Sequence, residues 1–317
     1  MVASDGGSPV IHGDRARLLP SPFPYQGSKR RLASRILRLF PRETPVLHEA
    51  FCGSAAVTLA AATSNPDLRV SLSDLDANIV NLWRAILENP DRLAAGYGAL
   101  WEAQEKDPET FYYEVRGRFN IHRDEADFLF LLLRCVKSAV RYNKAGEFNQ
   151  SPDLRRRGTA PSRVTKNLRW ASQLLRGRSS IQQQEFENAL TVAKPDDLIY
   201  MDPPYQGVSA KRDARYLVGL DPQVLVAGLE ELTRRNLSFI LSYDGKTGDI
   251  EHGERLPTDL GLTHLYLDAG TSSQATLLGR KERTVESLYL SPALIARLGE
   301  LSPRELATPQ PNLPLAQ

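Results

Sequence analysis

Asp202, Pro203, Pro204 and Tyr205 follow one another directly after the apolar run Leu198 to Met201. Lys194-Pro195-Asp196 gives a turn signal before that run, so residues 197–201 are expected to form a short buried strand that ends at the acid. In open α/β sheets ligands bind at the carboxyl ends of strands. Each proline fixes φ and lacks an N–H, which holds the carbonyls of Asp202 and Pro203 out of any ladder. Two rigid acceptors beside a flat ring suit a planar group that carries an NH2. The plainer alternative is a strand followed by a Pro-Pro turn with a solvated acid.

A second constellation lies upstream, in His48-Glu49-Ala50-Phe51-Cys52-Gly53-Ser54. Gly53 falls between an expected strand and the small-residue run Ala55 to Ala62. A residue without a side chain there lets a ligand approach the backbone. The Gly-x-Gly-x-x-Gly dinucleotide fingerprint is absent. Asp74 ends the next expected strand, 21 positions after Gly53, a distance at which an acid commonly accepts hydrogen bonds from ribose hydroxyls. An adenosine-containing ligand without a pyrophosphate fits both features, and S-adenosylmethionine is such a ligand. Simple helix–strand packing at Gly53, and helix capping by Asp74 with Asp76, are the alternatives.

The elements that must position these residues alternate between strand and helix. Val46-Leu47 and the run from Leu68 to Asp76 read as strands, and Asn78 to Asn89 as an amphipathic helix with Ile79, Leu82, Trp83, Ile86 and Leu87 on one face. Residues of about 91–190 interrupt this rhythm with helical, basic sequence. The alternation resumes at Asp197, continues through a helix near Pro222 to Arg235 and the strand around Phe239, and ends in extended segments around Tyr266 and Tyr289. The expected organisation is a catalytic unit at 21–90 and 191–302, an insertion at 91–190, and loose tails at 1–20 and 303–317. The fold class is α/β, a doubly wound sheet with an insertion in its middle.

The chain has 317 residues, 41% hydrophobic and 25% charged, as in ordinary soluble proteins. Its longest apolar run, Phe128 to Leu133, is too short to span a bilayer. Cys52 and Cys135 are the only cysteines and do not form a Cys-x-x-Cys pair, so neither a disulfide framework nor a zinc site is indicated, and no metal is expected. The opening residues lack the pattern of a signal peptide. A cytoplasmic, nucleoid-associated protein with no membrane partner is expected. The formal net charge is only +2, yet between Arg134 and Arg178 twelve Lys or Arg stand against two acids, Glu147 and Asp153. An excess of this size suits a phosphate backbone.

With both constellations in view, the chain resembles the Dam-like group of N6-adenine DNA methyltransferases. Tyr25 and Lys29 lie in "PYQGSKRRL", similar to the family's aromatic-x-Gly-x-Lys segment. "EAFCGSAAV" resembles its Glu-Pro-Phe-x-Gly-x-Gly motif, "LSDLDANIVNLW" its acid-bearing strand and helix, "RYNKAGEFN" its Arg-Tyr-Asn segment, and "DPPY" its catalytic motif. These cover about residues 22–292. Ala50 replaces the family's proline and Ala55 its second glycine. Val136-Lys137 stands where GATC-type members carry Tyr-Asn, so GATC recognition does not carry over.

The resemblance implies a Rossmann-like methyltransferase sheet with a mainly helical target-recognition insertion, acting on double-stranded DNA with S-adenosylmethionine. Tyr25 and Lys29 would hold the cofactor's methionine end, Glu49, Phe51 and Gly53 would line its pocket, Asp74 would bind its ribose, and Asp202 would border it. Asp202, Pro203, Pro204 and Tyr205 would hold the flipped target adenine. Arg141, flanked by Lys137 and Asn143, would contact DNA, and Arg155, Arg156, Arg157, Arg280 and Lys281 would meet phosphates. Transfer to cytosine N4 in DNA or guanine N2 in RNA, and an inactive DNA-binding methylase fold, are the alternatives. A solitary enzyme and one paired with a cognate restriction endonuclease both remain open, as do a monomer and a weak dimer.

Overall fold

The computed structural model describes residues 10–11, 18–204, 220–247, 250–252, 256–271 and 283–299. The strands in chain order are β1 (Val10–Ile11), β2 (Val46–Glu49), β3 (Arg69–Asp74), β4 (Ser179–Gln183), β5 (Leu198–Met201), β6 (Ser238–Thr247), β7 (Ile250–His252), β8 (Thr263–Thr271) and β9 (Arg283–Leu290). They form one sheet in the order β1-β8-β9-β6-β5-β2-β3-β4, with β7 paired to β6. The five strands β4, β3, β2, β5 and β6 run parallel, and β9 is antiparallel to both β6 and β8.

Burial on both faces explains the sequence of the central strands. All four residues of β5 are buried, as are the last three of β2, and strands covered by helices on both sides read as continuous apolar runs. From β2 the chain moves outward to β3 and β4, then crosses back to place β5 on the other side of β2. The order of strands therefore reverses between β2 and β5, the position at which a doubly wound sheet opens a crevice. Glu49 ends β2 there, and Asp202 follows β5 directly.

Two helices finish that crevice. After the one-turn helix α1 (Ala33–Ile36), α2 (Ala56–Ser64) buries six residues, three of them alanines that let the helix pack closely. In α3 (Ala77–Glu88) Ile79, Val80, Leu82, Trp83 and Ile86 are buried, and Asp76 caps the start by accepting from the Asn78 N–H. Trp83 and Leu82 fall on the face that the sequence pattern marked.

The insertion is helical: α4 (Pro90–Ala103), α5 (Pro108–His122), α6 (Glu125–Arg134) and α7 (Pro161–Leu175). Asn89, Asp107 and Asp124 cap the first three through side-chain acceptors. Phe119 stacks on Phe128 with ring centroids 5.2 Å apart, and Phe148 meets both edge-on. The same hydrophobic core continues into β2 and β3, so the insertion is packed onto the sheet. Among the described residues no helix is long and apolar enough to cross a membrane.

Two spans differ from the sequence reading. Residues 91–190 were expected to stand outside the sheet, but β4 pairs with β3 from Val70↔Ser179 to Asp74↔Gln183. Its sequence, Ser-Ser-Ile-Gln-Gln, lies half or fully exposed at the sheet edge, so it lacks the apolar alternation that announces a strand. Val10–Ile11, within the span expected as a tail, pairs with Tyr266 and Leu267 of β8. The expected tail at 303–317 lies outside the described residues.

Candidate active site

A cavity of about 460 Å³ opens at the crevice, lined by residues that include Tyr25, Lys29, Glu49, Phe51, Gly53, Asp74, Asp202, Pro203 and Pro204. Nine sequence-selected positions therefore share one space, although they come from four separate stretches of chain. Tyr205, Arg280 and Lys281 lie outside the described residues.

Gly53 is held from three sides. Its φ is +43°, and a Cβ added there would come within 2.9 Å of the Tyr25 ring. Its N–H donates to Asp74 Oδ2 at 3.0 Å, and its carbonyl accepts from the Trp83 indole N–H at 2.8 Å. A left-handed backbone is costly for residues with a side chain, and here the missing side chain also makes room for an aromatic ring. Asp74 holds the loop together as well: Oδ1 accepts from the Asp76 N–H at 3.0 Å. Burial raises the Asp74 carboxyl to about 6, against the pull of the Asp76 and Gly53 N–H groups.

Glu49 is buried, and one of its oxygens accepts from both the Thr58 N–H and the Thr58 hydroxyl. Burial pushes its carboxyl up to about 8; the two Thr58 hydrogen bonds oppose that rise, and the Asp202 and Asp74 charges add to it. Cys52, also buried, lies 3.9 Å from Asp74 Oδ2, and burial pushes its thiol well above the ordinary range. A thiol so placed is a packing group, not a nucleophile.

Lys29 is buried against the acid that follows β5, with Nζ 2.9 Å from Asp202 Oδ1 and 3.1 Å from Glu286 Oε2. Its ammonium thus serves the proline-bearing motif. Phe51 stacks on Phe186 at the start of α8 (Phe186–Leu190), centroids 5.5 Å apart. A Cβ at Gly228 would come within 2.7 Å of Phe186, which brings α9 (Pro222–Arg234) close beneath that ring.

These acids, flat rings and open backbone can hold a ligand with a cationic centre and planar groups, and 460 Å³ falls within the roughly 300–1,000 Å³ of small-molecule sites. A model of the D12 class N6 adenine-specific DNA methyltransferase family matches residues 25–274, a stretch containing Glu49, Asp74 and Asp202. The chain belongs to that family. It is 27% identical over 189 residues to the retron Ec67 DNA adenine methylase of Escherichia coli, covering 58% of this chain and 62% of that protein. It is 25% identical over 239 residues to the type II methyltransferase M.MjaIII of Methanocaldococcus jannaschii, 69% of this chain and 82% of that one. With the DNA adenine methylase of Haemophilus influenzae it shares 28% identity over 202 residues, 60% of this chain and 66% of that one.

In this D12 class family member the recognition candidates sit apart from the cavity acids, yet one of their neighbours touches the site. Tyr142, buried between Arg141 and Asn143, donates to Asp76 Oδ2 at 2.7 Å and accepts from Asn78 Nδ2 at 2.7 Å. Lys137 is exposed with φ +59°, and Ser138 follows at +50°. Two left-handed residues with side chains in succession store backbone strain, which concentrates at binding sites. Arg141 is half-buried, and its Nε has no partner among the described residues. The Asn143 carboxamide closes its own turn, accepting from the Ala145 and Glu147 N–H groups.

The arginine loop is tethered at its base. Asp153, itself buried, accepts from Arg155 Nε at 3.1 Å and Arg156 Nε at 2.8 Å, while Arg157 stacks 4.2 Å over the Trp101 ring. The Arg155 hydrogen bond holds the Asp153 carboxyl down at about 2. The arginine side chains still reach solvent, Arg155 being 86% exposed.

Sequence reasoning missed Thr58, Trp83 as a hydrogen-bond donor, Phe186 and Glu286. Glu286 alone left a signal, an acid just before the apolar run Leu288-Tyr289-Leu290 in the stretch "TVESLYL". The others take their roles from partners distant in sequence.

Proposed function

We propose that this chain transfers a methyl group from S-adenosylmethionine to the N6 amine of a flipped-out adenine in double-stranded DNA. One observation carries the reading: Asp202, fixed by Pro203 and Pro204 at the end of β5, borders the same cavity as Glu49, Gly53 and Asp74 and is held by Lys29. An amine acceptor and an adenosine pocket thereby adjoin.

Bound S-adenosylmethionine supplies a methyl group on a positively charged sulfur. The fit to these residues rests on the open backbone at Gly53, on the buried carboxyl of Glu49 and on the half-buried carboxyl of Asp74, which favour a cationic partner because ion pairing restores the charge that desolvation suppresses. Asp74 would take the ribose, Phe51 and Phe186 the adenine side, and Tyr25 and Glu49 the methionine side.

The target amine is a weak nucleophile, since its lone pair is delocalised into the ring. Asp202 and the Pro203 carbonyl would accept its two hydrogens and leave the lone pair free to face the methyl carbon. The bound sulfonium would supply the methyl carbon and keep the carbon–sulfur electron pair as a neutral thioether, while Asp202 would take the proton that the newly bonded nitrogen loses and pass it to water. Positioning supplies most of the rate in such a displacement. A stacked base cannot reach the cavity, so the base must leave the duplex, at a cost of a few kcal/mol. The helical insertion, with Lys137, Arg141 and Arg155 to Arg157, would offset that cost through DNA contacts.

Expression in a host without adenine methylation, followed by genome-wide mapping of modified bases, tests the reading. N6-methyladenine at one short motif, absent with Asp202→Ala, is the expected result. A blank map from folded protein that binds the cofactor would overturn it, and methylated cytosine or RNA guanine would reassign the acceptor.

A further inference from the structure

Glu286 lies on β9, two strands from β5, and outside the stretch that the family model matches. Its Oε2 nonetheless stands 3.1 Å from the Lys29 ammonium, which reaches Asp202 at 2.9 Å on the other side. Ser242 Oγ, on β6, donates to the same glutamate oxygen at 3.3 Å. The three charged side chains are withdrawn from solvent, at 4% exposure for Lys29, 18% for Asp202 and 20% for Glu286. A carboxylate withdrawn this far from solvent is costly unless its charge is paired.

The requirement follows from what Asp202 must do. An ammonium paired with Asp202 alone would neutralise that carboxylate and draw electron density from the oxygens meant for the target amine. A second carboxylate on the same ammonium divides that pull. Among the described residues this is one cation between two anions, a net negative charge beside the nitrogen on which positive charge grows during transfer. Two fixed contacts also hold in place a long, flexible lysine stem.

We propose that Glu286 is a positioning residue for methyl transfer, acting through Lys29 to hold Asp202 in place and keep it a strong acceptor for the target amine. This rests on the methyl-transfer reading above. The test compares wild type, Glu286→Gln, Glu286→Asp, Lys29→Met and Lys29→Met/Glu286→Gln on duplex DNA carrying the mapped motif. Steady-state kinetics are joined by S-adenosylhomocysteine calorimetry, thermal melts, and the fluorescence of 2-aminopurine at the target base, which reports extrusion without chemistry.

Glu286→Gln is expected to lower kcat by at least ~10-fold, since the lost interaction matters as charge develops. KM for DNA, S-adenosylhomocysteine affinity and the 2-aminopurine signal should stay within about twofold of wild type. Glu286→Asp should recover part of the loss, and in the Lys29→Met background Glu286→Gln should add none. Undiminished kcat in Glu286→Gln beside an active wild type would overturn this proposal alone. So would losses that multiply with Lys29→Met, because they would show action independent of the lysine, and so would a collapse of ligand binding or extrusion. A wild type inactive on DNA would sink the methyl-transfer reading and this inference with it.

Discussion

The Lys29 ammonium stands 2.9 Å from Asp202 Oδ1, joining a residue near the start of the described chain to the acid after β5. The pair makes Asp202 a charged acceptor at a fixed point, and the neighbouring prolines keep its backbone from moving. Asp202→Asn preserves shape, removes the charge and offers Lys29 a donor on one rotamer. Methyl transfer should fall by at least ~100-fold, the scale seen when one preorganised transition-state contact is lost. DNA retention should persist. Single-turnover assays with a labelled methyl donor, beside gel shifts, check both halves.

The buried Glu49 carboxyl makes cofactor binding and stability depend on pH. Its pKa rises on folding from 4.5 to about 8, so between those values the folded state binds more protons than the unfolded one. Stability of the ligand-free protein therefore falls as pH rises through that window, by up to ~1.4 kcal/mol per pH unit from this group. Glu49→Gln should flatten that slope in denaturant titrations at pH 5 to 8. A cationic ligand pairs best with the ionised acid, so binding near pH 7 should release protons. Calorimetry of S-adenosylmethionine in buffers of different ionisation enthalpy would detect the release, and Glu49→Gln should abolish it.

Gly53→Ala tests the pocket wall. The substitution asks a residue with a side chain to hold φ +43°, and sets its Cβ 2.9 Å from Tyr25 Cε1. The left-handed conformation alone costs about 1–2 kcal/mol, and displacement of Tyr25 disturbs the cavity further. S-adenosylhomocysteine affinity should fall at least ~10-fold, the equivalent of about 1.4 kcal/mol. Calorimetry reads it directly.

How much of this was legible beforehand depends on where each partner sits. Asp202-Pro203-Pro204 declares itself because the prolines act on their own backbone, and Gly53 because its place between strand and helix is local. The central strands show as apolar runs for the same reason. The edge strand β4 carries no such mark, because exposure frees it from apolar alternation. Lys29 read as a pocket residue, but its two carboxylates come from β9 and from the end of β5, brought together only by the sheet order. Thr58 on Glu49 and Trp83 on Gly53 are likewise contacts made by tertiary packing.

Tyr142 ties the segment proposed for DNA recognition to the cavity wall at Asp76. Its hydroxyl donates to Asp76, which caps α3, and accepts from Asn78, so Tyr142→Phe leaves a withdrawn carboxylate oxygen and an amide short of a partner. Asp76 and Asn78 are half-buried, so the loss should destabilise the fold by about 0.5–1.5 kcal/mol, the net contribution of an ordinary hydrogen bond. Thermal and denaturant unfolding check the magnitude.

The arginine loop should reveal itself through salt. Asp153 holds Arg155 and Arg156 at the loop's base, and Arg157 rests on Trp101, yet the Arg155 side chain is 86% exposed and can turn an edge to a phosphate. Each neutralised phosphate contact lowers the slope of log affinity against log salt by about 1. Arg155→Gln with Arg157→Gln should therefore flatten that slope by about 2 and weaken cognate and unrelated duplexes alike. An unchanged slope would place these arginines off the DNA, and a loss confined to the cognate duplex would make them readers of bases.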